Sequence, residues 1–198
     1  MVDLTVGRRF NGDAPHGDRQ ADDFYPTPQI GTESLLRVEK FSGPIWEPAC
    51  GDGAICRVLS AAGHEVIASD LVDRGLGGGD DFLLSSRLLA PNIVTNPPFG
   101  IALEFVRHAL SLCPIKVAML MQLRFLEGIE RGMLFDKSPP SRVFVFRRRL
   151  AIASGPPARR ETLFGPIVQD EGTKGGMLAF AWFVWDRSHV GKCNLDWI

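Results

Sequence analysis

The 198-residue sequence has little to offer a metal ion or a disulfide framework. Its four cysteines, Cys50, Cys56, Cys113 and Cys193, form no C-x-x-C pair, which excludes a zinc-ribbon pattern and a small disulfide scaffold. The four histidines, His16, His64, His108 and His189, show no ligand spacing, so no metal site is expected. Neither sign of charge prevails: 22 Lys and Arg stand against 23 Asp and Glu, a net charge of -1. A uniformly basic nucleic-acid binder is thereby excluded, whereas a local basic patch is not. The longest apolar run, 177–185, falls far short of the roughly 18 residues that span a bilayer. Residues 1–13 carry no apolar stretch of the secretory-signal type. The expectation is a soluble cytoplasmic protein with reduced thiols and no membrane partner.

Glycine and proline are plentiful, at 21 and 14, and imply many turns and close backbone approaches. With 45% hydrophobic and 23% charged residues, the composition is that of one ordinary globular domain. Residues 1–22 are polar and non-periodic and read as a flexible arm, leaving one folded domain over 23–198. Within it, 44–50, 65–69, 92–95 and 115–121 read as strands. Helical patterns fall at 29–40, 54–62, 101–112 and 123–135. Two late strands, 143–146 and 177–185, lack a clear helix between them and predict an antiparallel strand at one edge. The fold class is therefore α/β, a mainly parallel sheet with helices on both faces. The Gly- and Pro-containing stretch 151–176 reads as a mobile loop with substrate contacts.

In such sheets ligands bind beyond the carboxyl ends of the strands. There the first strand runs into Glu47-Pro48-Ala49-Cys50-Gly51-Asp52-Gly53, and the second ends at Asp70. Gly-x-Gly permits a sharp turn against which a ligand can lie. A dinucleotide site requires a third glycine where this chain has Cys56, and a P-loop requires Gly-Lys-Ser/Thr; both are missing. The turn carries the acids Glu47 and Asp52 instead. Acids repel a phosphate and attract an ammonium or sulfonium group, which favours S-adenosylmethionine (SAM) over NAD or ATP.

The third strand runs into Asn96-Pro97-Pro98-Phe99. This run resembles that of the amino-methylating DNA methyltransferases, whose target, an exocyclic amine conjugated to a ring, is a poor nucleophile. Accepting hydrogen bonds from both its N–H groups improves it, and the Asn96 side-chain carbonyl and Pro97 main-chain carbonyl are suitable acceptors. Their partial charge also favours the cation formed on attack, an effect of electrostatic preorganisation. Pro97 and Pro98 stiffen the loop, and Phe99 offers a flat face for a base.

Taken in order, these motifs, with Asp81-Phe82 and the upstream Phe24-Tyr25-Pro26-Thr27-Pro28, resemble the class I SAM-dependent methyltransferases. More narrowly, they resemble the DNA methyltransferases that modify N6 of adenine, in the γ-like motif order. The resemblance implies a single-domain Rossmann-like methyltransferase fold and catalytic roles for Asn96, Pro97, Pro98 and Phe99. It implies that Glu47 binds the methionine ammonium and Asp70 the ribose hydroxyls. Asp81 would accept from the cofactor's adenine amine, with Phe82 along that ring. Tyr25, Thr27 and Pro28 would close over the methionine end, and Pro48, Ala49, Gly51, Asp52 and Gly53 would form the cofactor turn. The partner implied is duplex DNA with a flipped adenine.

Residues 137–160 hold Lys137, Arg142, Arg147, Arg148, Arg149, Arg159 and Arg160 and no acid, a local basic excess suited to phosphates. Arg124, just after the fourth strand, joins Phe99, Arg148, Arg149, Arg159 and Arg160 as a candidate substrate contact, with Gln122 and Phe125 beside it. No segment is long enough for a separate sequence-reading domain. Discrimination between DNA sites is therefore expected to be modest, loop-encoded or supplied by a partner. The same acceptor pair would serve a protein glutamine, cytosine N4 or adenine in RNA. The remaining alternative is a catalytically silent nucleic-acid-binding module.

Overall fold

Apolar residues alternating between two faces decide the architecture. The computed structural model describes residues 24–76, 78–152, 161–162, 165–166 and 178–198. Its elements run α1 (Gln29–Val38), β1 (Ile45–Glu47), α2 (Ala54–Ala61), β2 (Val66–Ala68), β3 (Asn92–Thr95), α3 (Ala102–Ser111) and β4 (Lys116–Gln122). Then follow α4 (Ile129–Lys137), β5 (Arg142–Val145), a short ribbon of β6 (Glu161–Thr162) with β7 (Gly165–Pro166), β8 (Phe180–Asp186) and β9 (Asn194–Trp197). The main sheet has seven strands in the order β2-β1-β3-β4-β8-β5-β9. Only β8 runs against its neighbours.

Both central strands are buried on both faces, so they read as continuous apolar runs. On β4, Val117, Met119 and Met121 join one core cluster, with Phe105 and Val106 of α3. Ala118 and Leu120 point the other way, to Leu35 of α1 and Leu59 of α2. Strand β8 divides likewise, Phe183 and Trp185 to the first cluster and Phe180, Trp182 and Val184 to the second. Trp182 also donates its indole N–H to the Gly31 carbonyl at 2.8 Å, fastening α1 to the sheet. Burying each such aromatic contributes roughly 1.5–3 kcal/mol.

Three expectations need correction. The antiparallel strand is present but lies inside the sheet, between β4 and β5. A strand buried on both faces, as β8 is, gains most where neighbours pair with it on both edges. The edge is β9, whose side chains are exposed and gave no apolar pattern. The helix over 123–135 is broken. Leu123–Leu126 forms a 3-10 turn, and Gly128 adopts φ +107 before α4 begins. A residue with a Cβ would be strained in that conformation.

The third correction concerns Arg142, expected in a basic patch. It instead pairs with Glu39 and with Asp186 (2.7 Å), while Lys116 reaches the same two acids at 2.7 and 3.3 Å. This four-charge cluster sits where β4 and β5 begin, at the opposite edge from the strand ends that carry the motifs. The arm over 1–22 and most of the loop over 151–176 lie outside the described residues. Among the described residues, no helix is long and apolar enough to cross a membrane.

Candidate active site

The carboxyl ends of β1, β2 and β3 place Glu47, Asp70 and Asn96 along one edge of the sheet. A cavity of about 320 Å³ opens above them, lined among others by Tyr25, Thr27, Pro48, Ala49, Asp52, Asp70, Asp81, Phe82 and the Asn96-Pro97-Pro98-Phe99 run. That volume lies within the range of small-molecule sites.

The turn after β1 is shaped by glycine. Gly51 has φ +55, and a Cβ there would come within 2.2 Å of the Phe24 ring. Only glycine accepts that backbone with that neighbour. The Gly51 amide donates to Asp70 Oδ2 at 2.8 Å, and Asp70 Oδ1 accepts from the Val72 amide (2.9 Å) and Arg74 Nη1 (3.3 Å). Arg74 also lies over the Phe24 ring, 4.5 Å from its centroid. Asp52 accepts from the Ala54 amide at the start of α2, and Asp81 from the Leu83 amide. The acids on the cavity wall are thus oriented by the backbone of their own turns.

Glu47 immediately precedes Pro48 and Ala49, which line the cavity, and is itself fully buried and outside that lining. Its Oε1 accepts from the Ala49 amide at 3.3 Å, while Oε2 is buried without a partner. Burial pushes this carboxyl up to about 8; the Thr95 hydroxyl and the Ala49 amide oppose the shift, and the Asp70 charge adds to it. The Thr95 hydroxyl is close enough to act on the charge but does not meet hydrogen-bond geometry, for Thr95 Oγ1 is itself unpartnered. A protonated acid with a bare oxygen, next in the chain to residues of the cavity lining, suits a cationic ligand, whose charge would restore the carboxylate.

Asn96 has a fixed orientation. Its Nδ2 donates to the Tyr25 carbonyl at 3.1 Å and to Thr27 Oγ1 at 3.0 Å. A main-chain carbonyl only accepts, so the amide nitrogen must face it and the amide oxygen must face away. That oxygen, Asn96 Oδ1, is buried without a hydrogen-bond partner. An acceptor without a donor is therefore built into the cavity wall beside Pro97 and Phe99.

The aromatic residues depart from expectation. Phe82 reaches the cavity, but its ring is spent on the core, against Trp46 (5.2 Å), Phe105 (4.8 Å) and His108 (4.9 Å). Phe99 is covered by a stacked Tyr25, at 5.4 Å and 18°, and it also meets Phe180 at 5.5 Å.

Of the other residues singled out, Gly51 and Gly53 shape the turn and Pro28 precedes α1. Arg124, Arg148 and Arg149 are exposed after β4 and β5, at the same edge of the sheet as the cavity. Arg159 and Arg160 lie outside the described residues. Arg74, Phe24 and Thr95 were not singled out for roles of their own. Arg74 follows Asp70 by four positions in a glycine-rich stretch, a spacing with no periodic signal.

No protein-family model matches the sequence, and no curated protein sequence does. Solved structures do match in fold. One is a modification subunit of a type I restriction enzyme from Vibrio vulnificus YJ016, at 13% identity and TM-score 0.54, over 91% of this chain and 48% of that one. Another is a nuclease-deletion mutant of the Type ISP restriction-modification enzyme LlaGI in complex with a DNA substrate mimic, at 12% identity and TM-score 0.51. That likeness covers 88% of this chain and 24% of the other. The chain spans about half the length of the modification subunit and a quarter of LlaGI. Its fold is the Rossmann-like methyltransferase fold.

Proposed function

We propose that the chain transfers a methyl group from SAM to the N6 amine of adenine in DNA. The observation that carries this reading is Asn96, locked through its nitrogen and presenting a buried, unpartnered oxygen. A planar amine has the N–H groups that this oxygen lacks. Asn96 Oδ1 accepts one of them and the Pro97 carbonyl the other. Asn96 Oδ1 is held in place beforehand, so little reorganisation is needed as positive charge develops on the amine. Two of the structures sharing this fold belong to restriction systems, one of them bound to a DNA substrate mimic, and this supports DNA as the substrate.

The residues present fit SAM. When bound, SAM supplies an electrophilic methyl group on a sulfonium centre. Asp70 and Asp81, on the cavity wall, would hold the ribose hydroxyls and the adenine amine; Glu47, buried next to the lining residue Pro48 with a bare Oε2, would hold the methionine ammonium. Tyr25, Thr27, Pro48, Ala49 and Asp52 would enclose the ligand. Arg124 and Arg148, at the same edge, would meet phosphates.

The test is Asn96→Ala. Methyl transfer to DNA should fall by at least about a hundredfold, the scale of losing one preorganised hydrogen-bonding group. SAM affinity should stay within about twofold of wild type by calorimetry. Equal transfer by this variant would misplace the acceptor, and with it the active site.

A further inference from the structure

Asn96 and Phe99 are both engaged by the same residue. Tyr25 gives its carbonyl to Asn96 Nδ2 at 3.1 Å, and its ring stacks on Phe99 at 5.4 Å and 18°. The backbone of Tyr25 holds the acceptor, while its side chain covers the surface on which a base would rest. The other aromatic contact of Phe99 is with Phe180, at 5.5 Å. Each stacked aromatic layer takes about 3.4 Å, so a base between two rings needs them about 7 Å apart. At 5.4 Å the Tyr25–Phe99 pair has no room for one. Meanwhile Asn96 Oδ1 is closed off from solvent and without a donor.

We propose that the Tyr25 ring is a built-in stand-in for the target base. It occupies the stacking face of Phe99 until a flipped adenine displaces it. This inference rests on the adenine reading above. The exchange proceeds by rotation of the Tyr25 side chain, with its carbonyl left in place. Movement of the whole segment would release Asn96 Nδ2 from both of its acceptors, Tyr25 O and Thr27 Oγ1, just when the amide must be held. Rotation alone uncovers Phe99 and leaves Asn96 locked. The incoming base then makes two contacts that the closed state lacks or gives to the protein itself: a stack on Phe99 and a donor for Asn96 Oδ1. A base without an amine in that position replaces only the first, so Tyr25 competes most strongly against bases that cannot donate there. The ring thus acts as a specificity-determining element for the reaction.

The chain holds a single tyrosine, so protein labelled with 3-fluorotyrosine gives one ¹⁹F resonance, belonging to Tyr25. The experiment titrates it, without SAM, with short single-stranded oligonucleotides of deoxyadenosine and of thymidine. The expected result is that deoxyadenosine moves the resonance to the position of a solvent-exposed tyrosine and thymidine does not. In anisotropy measurements, Tyr25→Ala should bind the deoxyadenosine oligonucleotide at least about fivefold more tightly than wild type, since no ring has to be displaced. Tyr25→Phe, which keeps the stack, should bind as wild type does. If deoxyadenosine binds in preference to thymidine but leaves the resonance unmoved, or if Tyr25→Ala binds equally or more weakly, the exchange is overturned while the adenine reading stands. If the two oligonucleotides bind alike, or neither binds to any of the three proteins, the adenine reading fails and the exchange with it.

Discussion

The Gly51 amide donates to Asp70 Oδ2 at 2.8 Å, which ties the turn after β1 to the end of β2. The acid assigned to the ribose hydroxyls therefore also holds the glycine turn. Asp70→Ala removes a charge-assisted acceptor from two amides and from Arg74. SAM affinity should fall at least about tenfold, given about 1.5–3 kcal/mol for hydrogen bonds to charged groups. Calorimetry checks this, and unchanged affinity would undo the ribose assignment.

With Glu47 in its proposed role at the methionine ammonium, SAM binding depends on pH. Its carboxyl is raised from 4.5 to about 8, chiefly by burial. A cation bound beside it favours ionisation, so binding releases a proton wherever the free protein holds one. Affinity should therefore rise with pH towards about 8, above which loss of the ligand's own ammonium proton turns it down. Between pH 6 and 7 the ligand's own α-amino group stays protonated, and the rise there should approach tenfold. Glu47→Gln should bind weakly and flatten the profile. A pH-independent wild-type affinity over that interval would remove Glu47 from the ammonium.

The same shift has the opposite effect on the free protein's stability. Between pH 4.5 and about 8 the unfolded chain ionises Glu47 while the folded chain keeps it protonated. Stability from this group is greatest below pH 4.5 and declines towards pH 8, by a limit of about 5 kcal/mol. Urea titrations of wild type and Glu47→Gln at pH 5 and 8 should diverge at the higher pH, with the variant the more stable. Parallel curves would contradict the burial argument.

At the far edge of the sheet, Arg142 is held by Glu39 and Asp186. Arg142→Ala strands two buried acids beside Lys116 and should cost about 3 kcal/mol in a urea titration. For Asp186, burial would raise the carboxyl, but bonds from Ser188 and Arg142 and the Lys116 charge hold it well below its ordinary 3.8. A depressed carboxyl stabilises the fold at pH values above its ordinary range and loses that contribution as pH falls through it. Asp186→Asn should therefore remove part of the acid sensitivity below pH 4. An Arg142→Ala chain as stable as wild type would show the cluster to be solvated.

In the proposed function, Arg124 and Arg148 bear on DNA affinity. Each exposed arginine that meets a phosphate should, on change to alanine, lower the slope of log affinity against log salt by about one. An unaltered slope in both variants would take the duplex away from this edge.

Much of the architecture was legible because the residues that build it are local signals. Gly51 and Gly53 mark a turn, Asp70 and Asn96 end apolar runs, and the alternating faces of β4 and β8 appear as unbroken hydrophobic stretches. What escaped depends on partners distant in the chain. Arg142 looks like any other arginine until Glu39 and Asp186 arrive from other elements. Strand β9 is exposed along its length, so nothing in its pattern distinguishes it from a loop. Gly128 interrupts a stretch whose composition is otherwise helical. The stack of Tyr25 on Phe99 joins residues on separate elements, and the apolar character of Phe99 alone suggested an open face.

The most direct measurement offers SAM labelled in its methyl group, together with the purified chain, to duplex DNA, single-stranded DNA, RNA and protein in parallel. Each product is digested and the labelled component identified. The account predicts label in DNA, recovered as N6-methyladenine. Label recovered only in a protein side chain, in RNA or in cytosine would contradict it.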